Sequence, residues 1–201
     1  MHTLTTSFVL GYHGCDRQVA ERILAGEPFK PSQNEYDWLG SGVYFWESNP
    51  RRGFEWALHL QKRHPEKITT PYVIGAVIDL GYCLDLSTSN GTLAVKAAYH
   101  SFCSFVQEAG RSMPQNRGTD LLVRTLDCAV VNHLHHLQED PGNTGSRRFD
   151  SVRGIFIEGG PIYPTSAFNE KTHVQICIRS LENIKAAFRV PEDQWRKAFS
   201  E

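Results

Sequence analysis

The amino-acid sequence predicts an α+β fold, and three observations support this prediction. Apolar strand-like segments stand near both ends of the chain, helical patterns lie between them, and the two kinds of element do not alternate regularly. Regular alternation is typical of a doubly wound parallel sheet, whereas irregular order is typical of an α+β domain. No composition shift or repeat marks a boundary, so residues 1–201 are interpreted as one domain.

The first part of the chain contains two strand and helix pairs. The predicted elements are a strand over Ser7–Tyr12 that ends at His13-Gly14, a helix from Asp16 to Gly26, a loop over 30–42, a strand over Val43–Trp46 and a helix from Asn49 to about Lys62. Asp16 and Asn49 are residue types that cap helices, Pro50 suits the first helical turn, and Gly26 suits a helix end.

The rest of the chain begins with a strand over Tyr72–Leu80, which is apolar on both faces as in the centre of a sheet. Further predicted elements are a short sheet segment over Leu84–Leu86, helices over about 92–109 and about 120–137, strands over Val152–Ile157 and His173–Arg179, and a short helix from Pro191. Together these elements place strands on both sides of an inserted helical region.

Composition restricts the partners. The chain has 21 Lys plus Arg and 22 Asp plus Glu, so no global positive field draws it to nucleic acid or anionic lipid. No run is long enough for a membrane span, and the first residues lack the basic start of a secretion signal, which predicts a cytoplasmic protein without a membrane partner. Five spread cysteines without a CxxC pair predict reduced thiols.

Three segments join a strand to polar or aromatic residues that a hydrophobic core does not need. They are Gly-Tyr-His-Gly at 11–14, Leu-Gly-Ser-Gly-Val-Tyr-Phe-Trp at 39–46 and Thr-His-Val-Gln-Ile-Cys-Ile-Arg at 172–179. In this order they resemble the His-Tyr-Glu pattern of ADP-ribosyltransferases of the diphtheria-toxin and poly(ADP-ribose) polymerase type. The resemblance covers residues 8–180 and implies a split, mostly antiparallel β-core with surrounding and inserted helices.

The resemblance also implies an activity: transfer of ADP-ribose from NAD to a protein or nucleic-acid acceptor, with release of nicotinamide and without a metal. By the same resemblance, His13 would hydrogen-bond the adenosine ribose and Gly14 would hold the nicotinamide amide, which a residue without Cβ can approach closely. Tyr44 would stack on the positively charged nicotinamide ring. A small transferase of this kind resembles a bacterial toxin or phage-defence effector, whose partner would be an antitoxin or immunity protein.

The chain departs from the pattern at the third position, where Gln175 replaces the catalytic glutamate. An amide orients a ribose hydroxyl but carries no negative charge to stabilise a cationic ribose, so single transfer is predicted rather than chain elongation. His173 lies two residues earlier, on the same strand face, and its pKa suits it to act as a base. Glu170, in the preceding loop, is the alternative.

Further ligand contacts are predicted around these residues. The resemblance implies a second ring against nicotinamide from the helix after the Tyr-Phe strand, which would be Phe54 or Trp56. Ser41 is predicted to donate a hydrogen bond to the cofactor from its loop. Arg51 and Arg52, at a helix N-terminus, suit the pyrophosphate or an acceptor. Arg153, in an apolar strand, requires a charged partner, which is substrate, Asp150 or Glu158.

Structural interpretations compete with these hypotheses. His13 also fits a strand-end histidine bonded to backbone, Tyr44 a core aromatic, and Gln175 a satisfied polar residue on a sheet face. His133, His135 and His136 fit a solvated helix face better than a metal site.

Three other functions remain open. The missing glutamate allows a non-catalytic module that binds NAD or ADP-ribose, and water as the acceptor would give an NAD glycohydrolase. A transferase that moves phosphate from RNA to NAD would need a basic surface, which the net charge of -1 does not favour.

Overall fold

A computed structural model describes residues 8–143 and 145–196. In this part of the chain the elements are β1 (Phe8–Asp16), α1 (Arg17–Leu24), β2 (Val43–Glu47), α2 (Pro50–Arg63), β3 (Pro71–Asp79), β4 (Cys83–Asp85), α3 (Ser89–Glu108), α4 (Thr125–Glu139), β5 (Ser151–Phe156), β6 (His173–Ile178) and β7 (Ile184–Arg189). Short 3₁₀ turns lie at 119–121, 181–183 and 192–194. The predicted α+β class is confirmed. Ser7, the first residue of the predicted opening strand, lies outside the described residues.

The strands form one mostly antiparallel sheet in the order β4-β5-β6-β2-β1-β3-β7. Only β4 and β5 pair in parallel within the described chain, because α3 and α4 carry the backbone from one to the other. β2 lies between β6 and β1, so the segments that contain residues 39–46, 172–179 and 11–14 are neighbours in space.

The opening strand is longer than predicted. β1 continues past Tyr12 because Gly14 pairs with Val73, and Asp16 pairs with Pro71, both on β3. His13 and Gly14 therefore lie inside a strand, and the prediction that they end it is wrong. A glycine interrupts a strand pattern in sequence, but backbone pairing to a long partner maintains the strand.

Local capping explains where α1, α2 and α3 begin. The Asp16 carboxylate accepts from the Gln18 amide at 2.8 Å, and Asn49 Oδ1 accepts from the Arg52 amide at 3.1 Å. Both caps were predicted. The third helix begins at Ser89, earlier than predicted, because Thr88 Oγ1 accepts from the Gly91 amide at 3.1 Å.

Two features near the end of the chain differ from the prediction. β7 was not predicted, because its sequence, IKAAFR, has no apolar run and most of its side chains are partly or fully exposed. It forms the sheet edge by pairing with β3. The helix predicted from Pro191 is only a 3₁₀ turn over Glu192–Gln194.

The core has two parts. One part packs α1 and α2 against the β1 and β3 region, and it includes Phe45, Phe54 and Trp195. The other packs α3 and α4 against the half of the sheet that contains β5, and it includes Trp38 and Phe156, with Tyr44 partly buried against it. The strand β2 contributes to both parts, since successive side chains of a strand point to opposite faces.

Candidate functional site

The hydrogen-bond ladder between β1 and β2 stops at the pair formed by Tyr12 and Trp46. The register would place His13 opposite Phe45 and then Gly14 opposite Tyr44, but neither pair is formed. Instead, the Tyr44 carbonyl accepts from His13 Nδ1 at 2.8 Å. The Leu10 carbonyl accepts from the Ser48 amide across the same pair of strands. The backbone groups of every second residue point to the same side of a strand, so the N–H and C=O of Gly14 point to the same side as those of Leu10. They therefore face the place where β2 moves away from β1. We call this place, bounded by His13, Gly14 and Tyr44, the β1–β2 opening.

His13 holds the two strands together at the opening. Its ring contacts Phe29 and Phe45, each with a centroid distance of 5.7 Å. Burial lowers the pKa of the imidazole, and the hydrogen bond to the Tyr44 carbonyl offsets only part of this effect. The neutral ring donates its Nδ1 proton to that carbonyl, which leaves Nε2 as an acceptor.

Tyr44 is fixed at both ends. Its hydroxyl donates to Gly40 O and accepts from the Leu39 amide, both at 2.9 Å. Burial raises the tyrosine pKa well above its ordinary value, so the hydroxyl stays protonated. The loop is in turn attached to α4, because the Ser41 amide donates to Asn132 Oδ1 at 3.0 Å. Ser41 therefore contributes to fixing the loop through its backbone.

The sheet register decides which side chains share a face. Trp46 lies opposite Gln175 and Tyr44 lies opposite Cys177, so Tyr44, Trp46 and Gln175 point to one face. The His13 ring packs with Phe45, which points to the other face. The three side chains that carry the family resemblance therefore do not converge on one face. Of the three residues, His13 and Tyr44 meet at the β1–β2 opening, through the bond from His13 to the Tyr44 carbonyl.

Gln175 is bound by a residue that the sequence did not single out. Its Oε1 accepts from Trp38 Nε1 at 2.6 Å, across 137 residues of chain. Trp38 lies in the loop before β2, and the sequence has a local concentration of aromatic residues here, between Tyr36 and Trp56. That concentration was the only sequence signal for it, and the pairing with Gln175 depends on tertiary structure.

His173 lies on the same face as Gln175, as predicted, and is almost fully buried. Its Nδ1 donates to the Lys171 carbonyl at 2.6 Å, and burial lowers the pKa of the ring. The neutral ring then carries its free lone pair on Nε2, which is buried and has no partner in the described residues. Trp46 Nε1 also has no partner there, and the two ring centroids lie 6.3 Å apart.

Glu170 occupies a different position. It lies in the exposed turn before β6, where its amide donates to the Gly160 carbonyl at 3.0 Å. Among the described contacts, none joins its carboxylate to Gln175. The structure therefore gives His173 the position beside Gln175, and Glu170 a position in the turn.

The predicted anion-binding arginines have carboxylate partners. Arg52 donates to Glu55 and, at 2.6 Å, to Glu158, while Arg51 pairs with Glu55 at 3.1 Å. Arg51 and Arg52 therefore belong to an ion-pair network around the start of α2.

Arg153 pairs differently from the prediction. Its guanidinium contacts both carboxylate oxygens of Glu47, at 2.6 and 3.2 Å, and Asp85 at 3.3 Å. The expectation of Asp150 or Glu158 was wrong. In the sheet, β4 is next to β5 on one side, and β2 lies beyond β6 on the other, so Arg153 reaches the end of both strands. This arrangement is not visible along the chain.

Phe54 and Trp56, the two candidates for the second ring against nicotinamide, point in different directions from α2. Phe54 is buried against Trp195 with centroids 4.5 Å apart, so it belongs to the core. Trp56 is 38% exposed and lies 6.1 Å from Trp46. Since residues two apart on a helix point in different directions, only Trp56 joins the aromatic group near His173.

Gly14 is also required by packing. A Cβ at this position would lie 1.9 Å from the backbone oxygen of Gly53, in α2. The absence of a side chain at Gly14 therefore allows α2 to lie directly on β1. The same contact places Arg52 and Trp56 beside the sheet face that carries Trp46.

The three histidines of α4 have separate environments. His133 Nε2 is bonded to Ser101 Oγ at 3.0 Å, and His136 is exposed. His135 is 2% exposed with neither ring nitrogen bonded in the described structure, and burial lowers its pKa to about 3. The expectation of a solvated face is wrong for His135, because this side of α4 packs on Phe149 and on the loop at Gly40. No group of side chains suited to hold a metal ion occurs among the described residues.

Comparisons with known proteins give little functional information. No family model matches the chain. An uncharacterised protein of Methanocaldococcus jannaschii is 25% identical over 190 residues, covering 87% of this chain and 83% of that protein. No solved structure matches. In the part of the chain described, no helix combines the length and apolar character needed to span a membrane.

Proposed function

We propose that the protein is an NAD-dependent mono-ADP-ribosyltransferase, with the β1–β2 opening as its NAD site. The observation that supports this most directly is that the β1–β2 ladder ends at Tyr12 and Trp46, before it reaches Gly14 and Tyr44, two residues of the family resemblance. A strand whose backbone N–H and C=O face an opening presents one donor and one acceptor. A carboxamide, such as that of nicotinamide, has the complementary pair.

The residues around the opening have chemistry that fits the other parts of NAD. His13 keeps a neutral ring with Nε2 as an acceptor, which suits a ribose hydroxyl. Tyr44 is held by two hydrogen bonds through its hydroxyl, so its ring needs little further ordering to pack against nicotinamide. A stacked pyridinium would gain about 0.5–2 kcal/mol from the cation–π interaction.

Gln175 and His173 would serve the transfer step. The acceptor attacks C1′ of the nicotinamide ribose, the C–N bond breaks, and nicotinamide leaves with the bonding electron pair. The Gln175 amide, held by Trp38, would orient a ribose hydroxyl. The acceptor loses its proton to His173 Nε2, which has a lone pair and no partner among the described residues.

A transfer assay tests the proposal. The protein is incubated with labelled NAD and lysate, and the products are digested separately with protease and with nuclease to identify the acceptor class. We expect label on one class, and at least about a hundredfold loss of rate for Gln175→Ala and for His13→Ala. Glu170→Gln, in the exposed turn, is the matched control and should keep its rate. Unchanged labelling by the His13 and Gln175 variants would refute the site.

Two conservative variants test the role of Gln175 in the transfer step. Gln175→Glu supplies the carboxylate that the resemblance lacks, and we expect faster nicotinamide release because a negative charge stabilises a cationic ribose. Trp38→Phe keeps an aromatic ring against Phe156 but removes the N–H that binds Gln175, so it should slow transfer without a comparable loss of NAD affinity. A rate unaffected by both changes would exclude a role of Gln175 in the transfer step.

A second candidate is a module that binds NAD or ADP-ribose without turnover. This candidate is favoured because Glu55 and Glu158, the carboxylates near His173, are both paired with Arg52 and so do not replace the missing glutamate. Calorimetry together with a nicotinamide assay separates the two functions: binding without release of nicotinamide supports the module. Nicotinamide release without labelled product indicates a glycohydrolase.

The proposed biological role is that of a bacterial toxin or phage-defence effector. Induced expression in bacteria tests it through growth, with His13→Ala as the comparison. Growth arrest by the natural sequence and normal growth with the variant are expected. Equal growth of the two strains would contradict the role.

A further inference from the structure

A cavity of about 450 Å³ lies between α3, α4 and the loop that carries Trp38. This volume falls in the range of small-molecule sites, which is about 300–1,000 Å³. Residues from both helices line it, including Val95, Lys96, Tyr99 and Asp127. It is separate from the β1–β2 opening, since none of the residues that bound the opening lines it.

The lining combines aromatic rings with positive charge. Trp38 and Tyr99 supply rings, while Lys96 and Arg124 supply two cations, against the single carboxylate of Asp127. The Arg124 guanidinium lies 5.1 Å from the Trp38 ring centroid and 4.4 Å from that of Phe156. The Arg124 cation therefore lies over the Trp38 ring in the wall of the cavity.

The charge of Arg124 is only partly compensated. Its ion pair with Asp127 is long, at 3.5 Å, and its Nε is buried without a partner in the described residues. Lys96 is exposed at the edge of the cavity. Arginine binds phosphate and carboxylate groups well because its N–H groups match two oxygens at once.

We infer that this cavity binds a small molecule with a planar aromatic ring and one anionic group, of which a nucleoside monophosphate is the best-matched class. The ring would pack among Trp38, Val95 and Tyr99. The phosphate would lie at the edge, near Arg124 and Lys96. The inference does not depend on NAD chemistry, although Trp38 links this cavity to Gln175 by its hydrogen bond.

Calorimetry with AMP, adenosine and ribose 5-phosphate tests the inference, because the last two probes each lack one half of the first. We expect one AMP per chain, and at least tenfold weaker binding of adenosine and of ribose 5-phosphate. Absence of AMP binding at millimolar concentration would overturn the inference.

Variants locate the bound probe. Arg124→Gln and Lys96→Gln should weaken AMP binding about tenfold or more while leaving adenosine binding unchanged, and Val95→Phe, which fills the cavity, should weaken both. Lys62→Gln, on the exposed side of α2, is the matched charge control, and circular dichroism checks the fold of every variant. Because Lys96 is exposed, its variant remains informative if Arg124→Gln unfolds.

His13→Ala separates this site from the proposed NAD site and should leave AMP binding unchanged. AMP binding that is lost in His13→Ala but retained in the Arg124 and Val95 variants would place the probe at the β1–β2 opening and overturn the inference. Failure of the transfer assay, by contrast, has no bearing on this result, because no NAD is present in the titration.

Discussion

The contact between Gly14 and Gly53 predicts opposite effects on stability for substitutions at these two glycines, which are neighbours in space. A Cβ on Gly14 would lie 1.9 Å from Gly53 O and 2.8 Å from Gly53 C, which are backbone atoms of a helix and cannot rotate away. A Cβ on Gly53 would have its nearest neighbours at 3.5 and 3.6 Å, which is ordinary van der Waals contact. The same substitution to alanine should therefore be harmful in β1 and harmless in α2.

The magnitudes follow from these distances. To accept Gly14→Ala, α2 must move away from β1 by about an ångström or more. Such overpacking costs typically 1–3 kcal/mol and sometimes more, and a rigid backbone neighbour places this case at about 3 kcal/mol. For a chain of this length the melting temperature should fall by about 6–12 °C. Gly53→Ala should gain up to about 1 kcal/mol, because alanine is the better helix former.

Thermal and urea unfolding, followed by circular dichroism, measure both effects. Gly160→Ala is the matched control, since a Cβ there meets nothing within 4 Å and the backbone is not left-handed. Stability of Gly14→Ala within about 0.5 kcal/mol of the unsubstituted chain would refute the close packing of α2 on β1. Equal destabilisation by Gly14→Ala and Gly53→Ala would refute the asymmetry.

Three further predictions concern charged and polar groups. Asp16 accepts from Gln18, Thr69 and Thr70; burial alone would raise the pKa of its carboxyl, but these hydrogen bonds outweigh burial and lower it. Asp16→Asn should therefore cost about 2 kcal/mol at pH 7. The difference should begin to shrink below about pH 4, where the Asp16 carboxyl of the unfolded chain becomes protonated, and should shrink further as the pH falls through the lowered folded-state pKa, as urea unfolding at pH 7 and 3 would show. Burial lowers the pKa of His135 to about 3, so the unfolded chain binds a proton at this histidine first, and stability falls as the pH decreases from about 6.5. His135→Leu should therefore gain about 3 kcal/mol of stability at pH 4. An acid unfolding midpoint that His135→Leu does not change would contradict this. Arg153→Met leaves Glu47 half-buried without its main partner and should cost about 2 kcal/mol of stability. In a double-mutant cycle, Glu47→Leu should restore part of this loss. Additive losses from the two substitutions would contradict a direct coupling between Arg153 and Glu47.

The sequence determined the features that depend on neighbouring residues. Asp16 and Asn49 cap helices because their side chains reach amides two or three residues away. The strand with Tyr72–Leu80 could be predicted because its apolar run needs cover on both faces. These interactions are local or depend on composition, so one sequence is enough to predict them.

Most of the candidate site required the sheet register. Three residues of the family resemblance could be identified in order, but their faces could not, since shifting a strand pairing by one residue reverses the face of each side chain. The pairing of Trp46 with Gln175 and the bond from His13 to the Tyr44 carbonyl fixed those faces. His135 was misjudged because only packing decides which side of α4 is covered.

The sequence by itself therefore determined the α+β class, the helix caps and the three segments that resemble an ADP-ribosyltransferase. Tertiary structure alone decided where β1 separates from β2, that Trp38 holds Gln175, and that Glu47 rather than Asp150 or Glu158 neutralises Arg153. The physical reason is distance along the chain: the bonds of Gln175 and Arg153 join residues separated by 137 and 106 positions. Local patterns specify where an element forms, whereas partners this far apart become neighbours only when the whole sheet has assembled.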